Sequence, residues 1–457
     1  MGYDVAVIGG GLAGLVAANV AARRGKEVLL IAEGLASLHM ATGCIDLLGY
    51  PGPDPESKDP VADPWEALRE LIAKKPGHPY ARVGLPLIAE SLQWFAGVCR
   101  ETGYPMVGST AVSTVGSTAG LSAENLLLPT GMGTVRPTYL APETMISGNL
   151  ADPGGSSNAR SQRNPGDPGS GALLIVGFEG FRDFHPAYAA ENLQALENLQ
   201  VFGARIPAPG FANTRDLSAV DLAVFFDREE FRHEVAGEIK KVLAGLDAKT
   251  LKKRVGRIGF PAVLGLEKAR EARRDLEEQL GLPVFEIPIL PPSIPGLRLA
   301  RVLEKAARSA GVEFLPGSPV IAAQVEGGRC RSVTVQTPVR QSRYQADTFI
   351  LATGGVLGGG IRIAIDGPHE PIFGLPVSHP PARQDWSQPR FLAPEGHAFL
   401  KFGVASDTDL RPLSQDGAVF CENLLAAGSI LAGHDSYGEK STEGIAIATG
   451  YAAGGWC

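Results

Sequence analysis

Residues 3–14 read YDVAVIGGGLAG, an apolar run over 5–8 that enters Gly9, Gly11 and Gly14 at G-x-G-x-x-G spacing. The Ala-rich stretch 12–24 has helical spacing and 28–31 is apolar again, so the chain opens as strand, turn, helix, strand. In such a loop the first glycine permits the turn and the second lets a phosphate approach the backbone. The third lets helix and strand pack closely, with helix N–H groups facing the anion. With 57 glycines in 457 residues the bare pattern arises by chance about once. Its place between strand and helix gives it meaning: Gly9, Gly11, Leu12, Ala13 and Gly14 are read as a nucleotide-phosphate cradle.

Working outward, the acid expected about 20 residues on, to hold an adenosine ribose, falls on Ala32, and Glu33 follows one residue late. A one-residue slip at a strand end turns the side chain to the other face, so the phosphate half of a cofactor is better supported than the adenosine half. Near the other end, Ala352-Thr353-Gly354-Gly355 follows an apolar strand, and residues 422–429, ENLLAAGS, form a strand entering Gly428 and Ser429. A small-residue helix starts around Gly444 and Ile445, and its positive end is expected to face the flavin C2 carbonyl. Together these outline a Rossmann-like α/β, two-dinucleotide-binding flavoprotein domain built from both chain ends. The expected boundaries are 1–50 and 296–457 for that domain and 51–295 for an inserted α/β cap, substrate or partner domain. Within the insert, 151–171 has 12 Gly, Pro or Ser in 21 positions and reads as a flexible loop. Asp227 with Glu230 resembles a capping box, and 182–199 reads as a helix.

Composition narrows the function. Hydrophobic residues at 44% and charged residues at 20% are those of a globular chain, and a net charge of −7 supplies no field for nucleic acid or anionic lipid. No apolar run reaches about 18 residues, and the start lacks signal-peptide character. Five cysteines scattered without a C-x-x-C pair argue against disulfides, zinc or an iron–sulfur cluster held by this chain, so no metal is expected. Thr42, Gly43 and Cys44 follow the second strand, where such folds run the chain along the flavin ring. Cys44 reads as a packed thiol, since no neighbour in sequence lowers its pKa.

The blocks TGCIDLL (42–48), GHPY (77–80), GTVRPT (133–138), LPPSIPGLRL (290–299), EPIFGL (370–375) and LRP (410–412), with the glycine loop, ATGG and ENLLAAGS, make the chain resemble the B subunits of anaerobic glycerol-3-phosphate dehydrogenase. The resemblance runs nearly end to end. It implies oxidation of glycerol 3-phosphate to dihydroxyacetone phosphate and FMN as cofactor, whereas the GxGxxG loop favours FAD. It also implies an A subunit with its own flavin, a membrane-associated iron–sulfur C subunit, and electron flow to quinone. The expected place is cytoplasmic, peripheral at the inner face of the membrane. Arg136 is the candidate phosphate contact, beside a Gly-Met-Gly-Thr turn, and His369 the candidate base. Two other readings stand beside this one: an electron-relay and assembly subunit without its own substrate site, and a stand-alone flavin oxidoreductase of the fumarate-reductase type.

Overall fold

The computed structural model describes residues 2–34, 37–51, 59–109, 124–151, 171–196, 199–211, 216–247 and 255–457. The segment expected to be a flexible loop lies, apart from its two end residues, outside the described residues. The first third runs β1 (Gly2–Ile8), α1 (Leu12–Arg23), β2 (Val28–Ala32), α2 (Pro64–Lys74), α3 (Pro79–Val83), α4 (Leu85–Glu101), β3 (Met106–Val107), β4 (Leu126–Pro129), β5 (Val135–Thr138) and β6 (Ala141–Pro142). Then come β7 (Ala172–Phe178), α5 (Pro186–Gln194), β8 (Val201–Ile206), α6 (Ala219–Phe226), α7 (Glu229–Asp247), β9 (Val255–Pro261), α8 (Ala269–Leu280) and β10 (Val284–Ile287). The rest is α9 (Ile294–Ser309), β11 (Glu313–Pro316), β12 (Val320–Glu326), β13 (Arg329–Gln336), β14 (Gln341–Leu351), β15 (Arg362–Ala364), β16 (Gly367–His369), β17 (Val377–Ser378), β18 (Gly403–Val404), β19 (Leu424–Ala426) and α10 (Thr442–Gly455).

The main sheet is parallel in the order β11, β2, β1, β14, β19, with Ile8 opposite both Ile31 and Leu351, and Leu351 opposite Ala426. Strands from both chain ends therefore build one sheet. The first half of β14 also pairs antiparallel with β13, and β13 with β12, an arm not anticipated from sequence. Its strand 320–326, VIAAQVE, buries none of its residues despite its apolar start. In α1 every residue but the last is buried, because the sheet covers one face and α10 the other. Alanines and glycines allow that approach: a Cβ at Gly450 would lie 2.5 Å from the Ala13 carbonyl oxygen, and one at Gly454 2.4 Å from that of Ala17. The small-residue texture of α10 is thus first a packing requirement.

The second unit is a four-stranded parallel sheet, β10, β9, β7, β8, with its own core around Leu174, Phe178, Phe226, Phe260 and Phe285. Its extent differs from the expected insert. Helices α2 and α4 bury Trp65, Leu68, Leu92 and Phe95 in the core of the first unit, so residues 64–101 pack with the main sheet. Helix α5 starts at Pro186, where proline suits the first turn, and ends at Gln194, shorter than the expected 182–199. The capping box found here is Ser218 with Asp221 opening α6. Asp227 instead takes the backbone N–H groups of Leu266, Glu267 and Lys268, tying down the turn before α8. The units are joined by Arg298 of α9, whose guanidinium meets both oxygens of Glu286 of β10 at 2.7 and 2.9 Å, both side chains being nearly fully buried. Among the described residues no helix is long and apolar enough to cross a membrane.

Candidate functional site: a flavin cradle at the carboxyl ends of the main sheet

Three loops converge just beyond the carboxyl ends of β1, β14 and β19, where open parallel sheets hold ligands. Gly9 adopts φ 115°, and a Cβ there would lie 2.2 Å from the Ala352 carbonyl oxygen, so the first loop and the ATGG turn touch through that glycine. A Cβ at Gly14 would lie 1.9 Å from the Gly9 carbonyl oxygen. A Cβ at Gly11 would meet nothing within 4 Å. Gly9 and Gly14 therefore serve packing, while Gly11 opens onto space at the start of α1. That start has no side-chain cap and no acid in its first turn, which leaves its N–H groups to an anion. Thr353 adds a buried hydroxyl with no hydrogen-bond partner, and Gly354 at φ 81° turns the chain beside it. Gly428, at φ 78°, comes so near Ala13 that a Cβ would lie 2.8 Å away, and its N–H donates to Thr449 Oγ1 at 2.8 Å. Ser429 is half-buried after it. An open cradle, an uncapped helix start and an orphaned hydroxyl fit the phosphate side of a flavin nucleotide. Glu33 stands exposed just past β2, and Ala32 fills the position expected of a ribose-binding acid.

The other end of the site is the start of α10, against the segment 42–48. Gly43, at φ 79°, lets Pro295 approach, since a Cβ would lie 2.5 Å from that of the proline. Cys44 is fully buried, its Sγ 3.7 Å from Met145 Sδ, and burial pushes its thiol up to about 12. It is packing, not a nucleophile. Arg136 is not a free phosphate contact either: its guanidinium is ion-paired with the buried Asp46. Burial opposes its charge, but Asp46, Cys44 and Glu443 more than compensate and raise its pKa. Gly444 donates its N–H to the Asp46 carbonyl oxygen at 3.0 Å and Ile445 to that of Ser441 at 2.9 Å, so neither is left for a ring carbonyl. The acidic side chain at the helix mouth is Glu443, which sequence reasoning missed. Burial, and then the Asp46 carboxylate, raise it from 4.5 to about 7.

Behind this wall lies a second buried network. Tyr80 donates its backbone N–H to His78 Nδ1 at 3.1 Å, which leaves the ring proton on Nε2 to be donated to Glu439 at 3.1 Å. Lys75 adds an ion pair to Glu439 at 2.7 Å. Burial works against the Glu439 charge, yet the His78 contact and Lys75 bring it down from 4.5 to about 2. Burial likewise holds His434, packed edge-on against His78, down to about 4. The Tyr80 hydroxyl donates to the Leu47 carbonyl oxygen at 2.7 Å and stands 2.2 Å from where a Cβ of residue 444 would be. His78 and Tyr80 therefore brace the segment 42–48 against α10. Between the two networks Lys440 sits at φ 51°, a left-handed conformation that costs a non-glycine about 1–2 kcal/mol, and the Gly49 N–H donates to the carbonyl oxygens of both Glu439 and Lys440, at 2.9 and 3.2 Å. His369 is remote in character from all of this: it is exposed on the β15–β16 hairpin, opposite Arg362. The described cysteines are all free, and among the described residues no group of His, Cys, Asp or Glu is placed to hold a metal ion.

The fold and cradle define a flavin-dependent oxidoreductase, and the family model of the FAD binding domain matches residues 4–445. The probable B subunit of the anaerobic glycerol-3-phosphate dehydrogenase of Halobacterium salinarum is 35% identical over 460 residues, covering 99% of this chain and 96% of its own. The B subunit of the anaerobic glycerol-3-phosphate dehydrogenase of Vibrio cholerae is 30% identical over 460 residues, with the same coverage of 99% and 96%. The solved 3-ketosteroid delta1-dehydrogenase of Sterolibacterium denitrificans aligns over 99% of this chain and 98% of its own, at 11% identity and a TM-score of 0.41. The chain belongs to the FAD binding domain family and, within it, to the anaerobic glycerol-3-phosphate dehydrogenase B subunits.

Proposed function

We propose that this chain carries FAD as the B subunit of an anaerobic glycerol-3-phosphate dehydrogenase and works there as an electron relay. An A subunit oxidises glycerol 3-phosphate to dihydroxyacetone phosphate, and electrons pass through this chain to an iron–sulfur C subunit and quinone at the inner membrane face. The observation that carries the relay reading is the Arg136–Asp46 ion pair. A site for a phosphorylated substrate needs a cation to spare, and the cation of the Gly133–Thr138 block is already neutralised by a carboxylate, with Glu443 a second acid beside it. FAD is favoured over FMN by a loop shaped for a diphosphate, with Glu33 the acid available near the ribose position.

The flavin supplies two-electron acceptance and one-electron release. Gly11 and the start of α1 would hold its phosphate, the Thr353 hydroxyl would be offered beside them, and the segment 42–48 with the mouth of α10 would wall the ring end. Mass spectrometry of flavin released from the folded protein distinguishes FAD from FMN. Anaerobic glycerol 3-phosphate should leave the flavin of the isolated chain oxidised and bleach it once the A subunit is added. Bleaching of the isolated chain, lost in Arg136→Ala, would replace the relay with a substrate site here.

A further inference from the structure

The mouth of α10 holds two carboxylates that electron transfer alone does not require. Asp46 is 2% exposed; one oxygen pairs with Arg136 and the other, Oδ1, has no partner. Its main-chain carbonyl takes the Gly444 N–H, so Asp46 and Glu443 are held as neighbours across one hydrogen bond. The charged and titratable groups facing Glu443 are Asp46 and Cys44 from the segment 42–48, Arg136 from β5, Tyr80 from α3, and Lys440 and Tyr437 from the turn before the helix. Arg136 is already committed to Asp46, and Lys440 is held below its usual range by burial and by Arg136. Glu443 is left as the carboxyl least compensated by positive charge, poised near neutrality at about 7. Its position along α10 is also informative. Gly450 touches Ala13 at the phosphate cradle, and Glu443 lies seven residues earlier, about 10 Å along the axis at about 1.5 Å per residue. The acid thus stands about two turns of α10 away from the first turn of α1, where the phosphate cradle opens.

We propose that Glu443 is the redox-linked proton acceptor of this site, taking a proton from solvent when the bound flavin gains electrons. This rests on the flavin reading above. The electrons come from the partner subunit, or from dithionite in the experiment. The negative charge that reduction would place on the ring raises the affinity of Glu443 for a proton: an O–H bond of a solvent hydronium ion breaks, leaving water, as an O–H bond forms on the carboxylate, and no covalent bond of the protein breaks. Burial first, and then the Asp46 carboxylate beside it, already favour the neutral form of Glu443, and the charge on the ring adds to both.

The test is a dithionite titration of the flavin-loaded chain across neutral pH. If Glu443 binds one proton per two electrons, the reduction equilibrium gains a further tenfold change per pH unit, about 30 mV, over the slope of Glu443→Gln. The reduced-minus-oxidised infrared spectrum of protein labelled with carbon-13 glutamate should gain an isotope-shifted carboxylic-acid band in the parent. That band should be missing in Glu443→Gln and retained in the surface variant Glu304→Gln. The infrared arm reads the parent directly, so it stands even where a variant folds poorly. Equal pH slopes in parent and Glu443→Gln, or no carboxylic-acid band on reduction, overturns the proposal while leaving the flavin reading intact. A folded parent that binds no flavin overturns both.

Discussion

Replacing Glu439 by Gln should weaken the protein most at neutral pH and hardly at all in strong acid. The carboxyl is fully buried, and its partners hold it at about 2 rather than 4.5, so the folded state keeps it ionised where the unfolded chain would protonate it. A folded-state pKa below the unfolded one contributes stability above about pH 4.5, and that contribution fades as pH falls towards 2. The difference is worth about 3 kcal/mol at pH 7. Lys75 is 42% exposed, so solvent screens its share and the His78 hydrogen bond is the better-protected part. Urea unfolding followed by fluorescence, repeated at descending pH, measures the effect. The parent should lose stability more steeply than Glu439→Gln between about pH 5 and pH 2, the two converging at the acid end. Parallel pH curves would refute the assignment of the low pKa to this network.

Gly11→Val and Gly14→Val should separate binding from folding. The first puts its side chain into the open cradle, so flavin affinity should fall at least about 100-fold, roughly 3 kcal/mol, with thermal unfolding of the flavin-free protein nearly unchanged. The second clashes with the Gly9 backbone and should destabilise or abolish the fold; a stable Gly14→Val would contradict the loop geometry. Arg298→Met leaves Glu286 buried without its cation and should cost about 3–5 kcal/mol by chemical denaturation, whereas a loss below about 1 kcal/mol would mean the joint between the units tolerates the unpaired charge. Acid precipitation should release all flavin into the supernatant, because the buried Cys44 thiol at about 12 cannot attack a ring; colour left in the pellet would contradict this.

The parts legible in sequence were those whose signal is local. Strand, glycine loop and helix over residues 2–23 announce themselves because each neighbour specifies the next, and the ATGG and ENLLAAGS segments have the same compact signature. The arm formed by β12 and β13 was not legible, since β12 buries none of its residues and β13 interleaves Arg and Ser with its buried positions, so neither reads like the continuously apolar, fully buried strands of the parallel sheet. The chemistry of the ring end was misread for a different reason. Arg136 looks like a free anion contact until Asp46, 90 positions earlier, is brought against it. Glu443 looks like an ordinary first-turn acid of a helix until Asp46 is placed beside it. His78 lies in the GHPY block, but its partner Glu439 is 361 positions away, and only the fold supplies that pairing.

The pairing of β1 with β14 has a consequence for how the chain is made. Gly2 lies opposite Gln345 and Ile8 opposite Leu351, so the central strand pair cannot close until about three-quarters of the 457-residue polypeptide has left the ribosome. The second unit makes its sheet within residues 172–287 and can assemble while the N-terminal strand still waits. Helix α10, which covers α1, is made after all of these elements. A nascent chain stalled before residue 442 would expose the buried face of α1, a surface for chaperones to recognise.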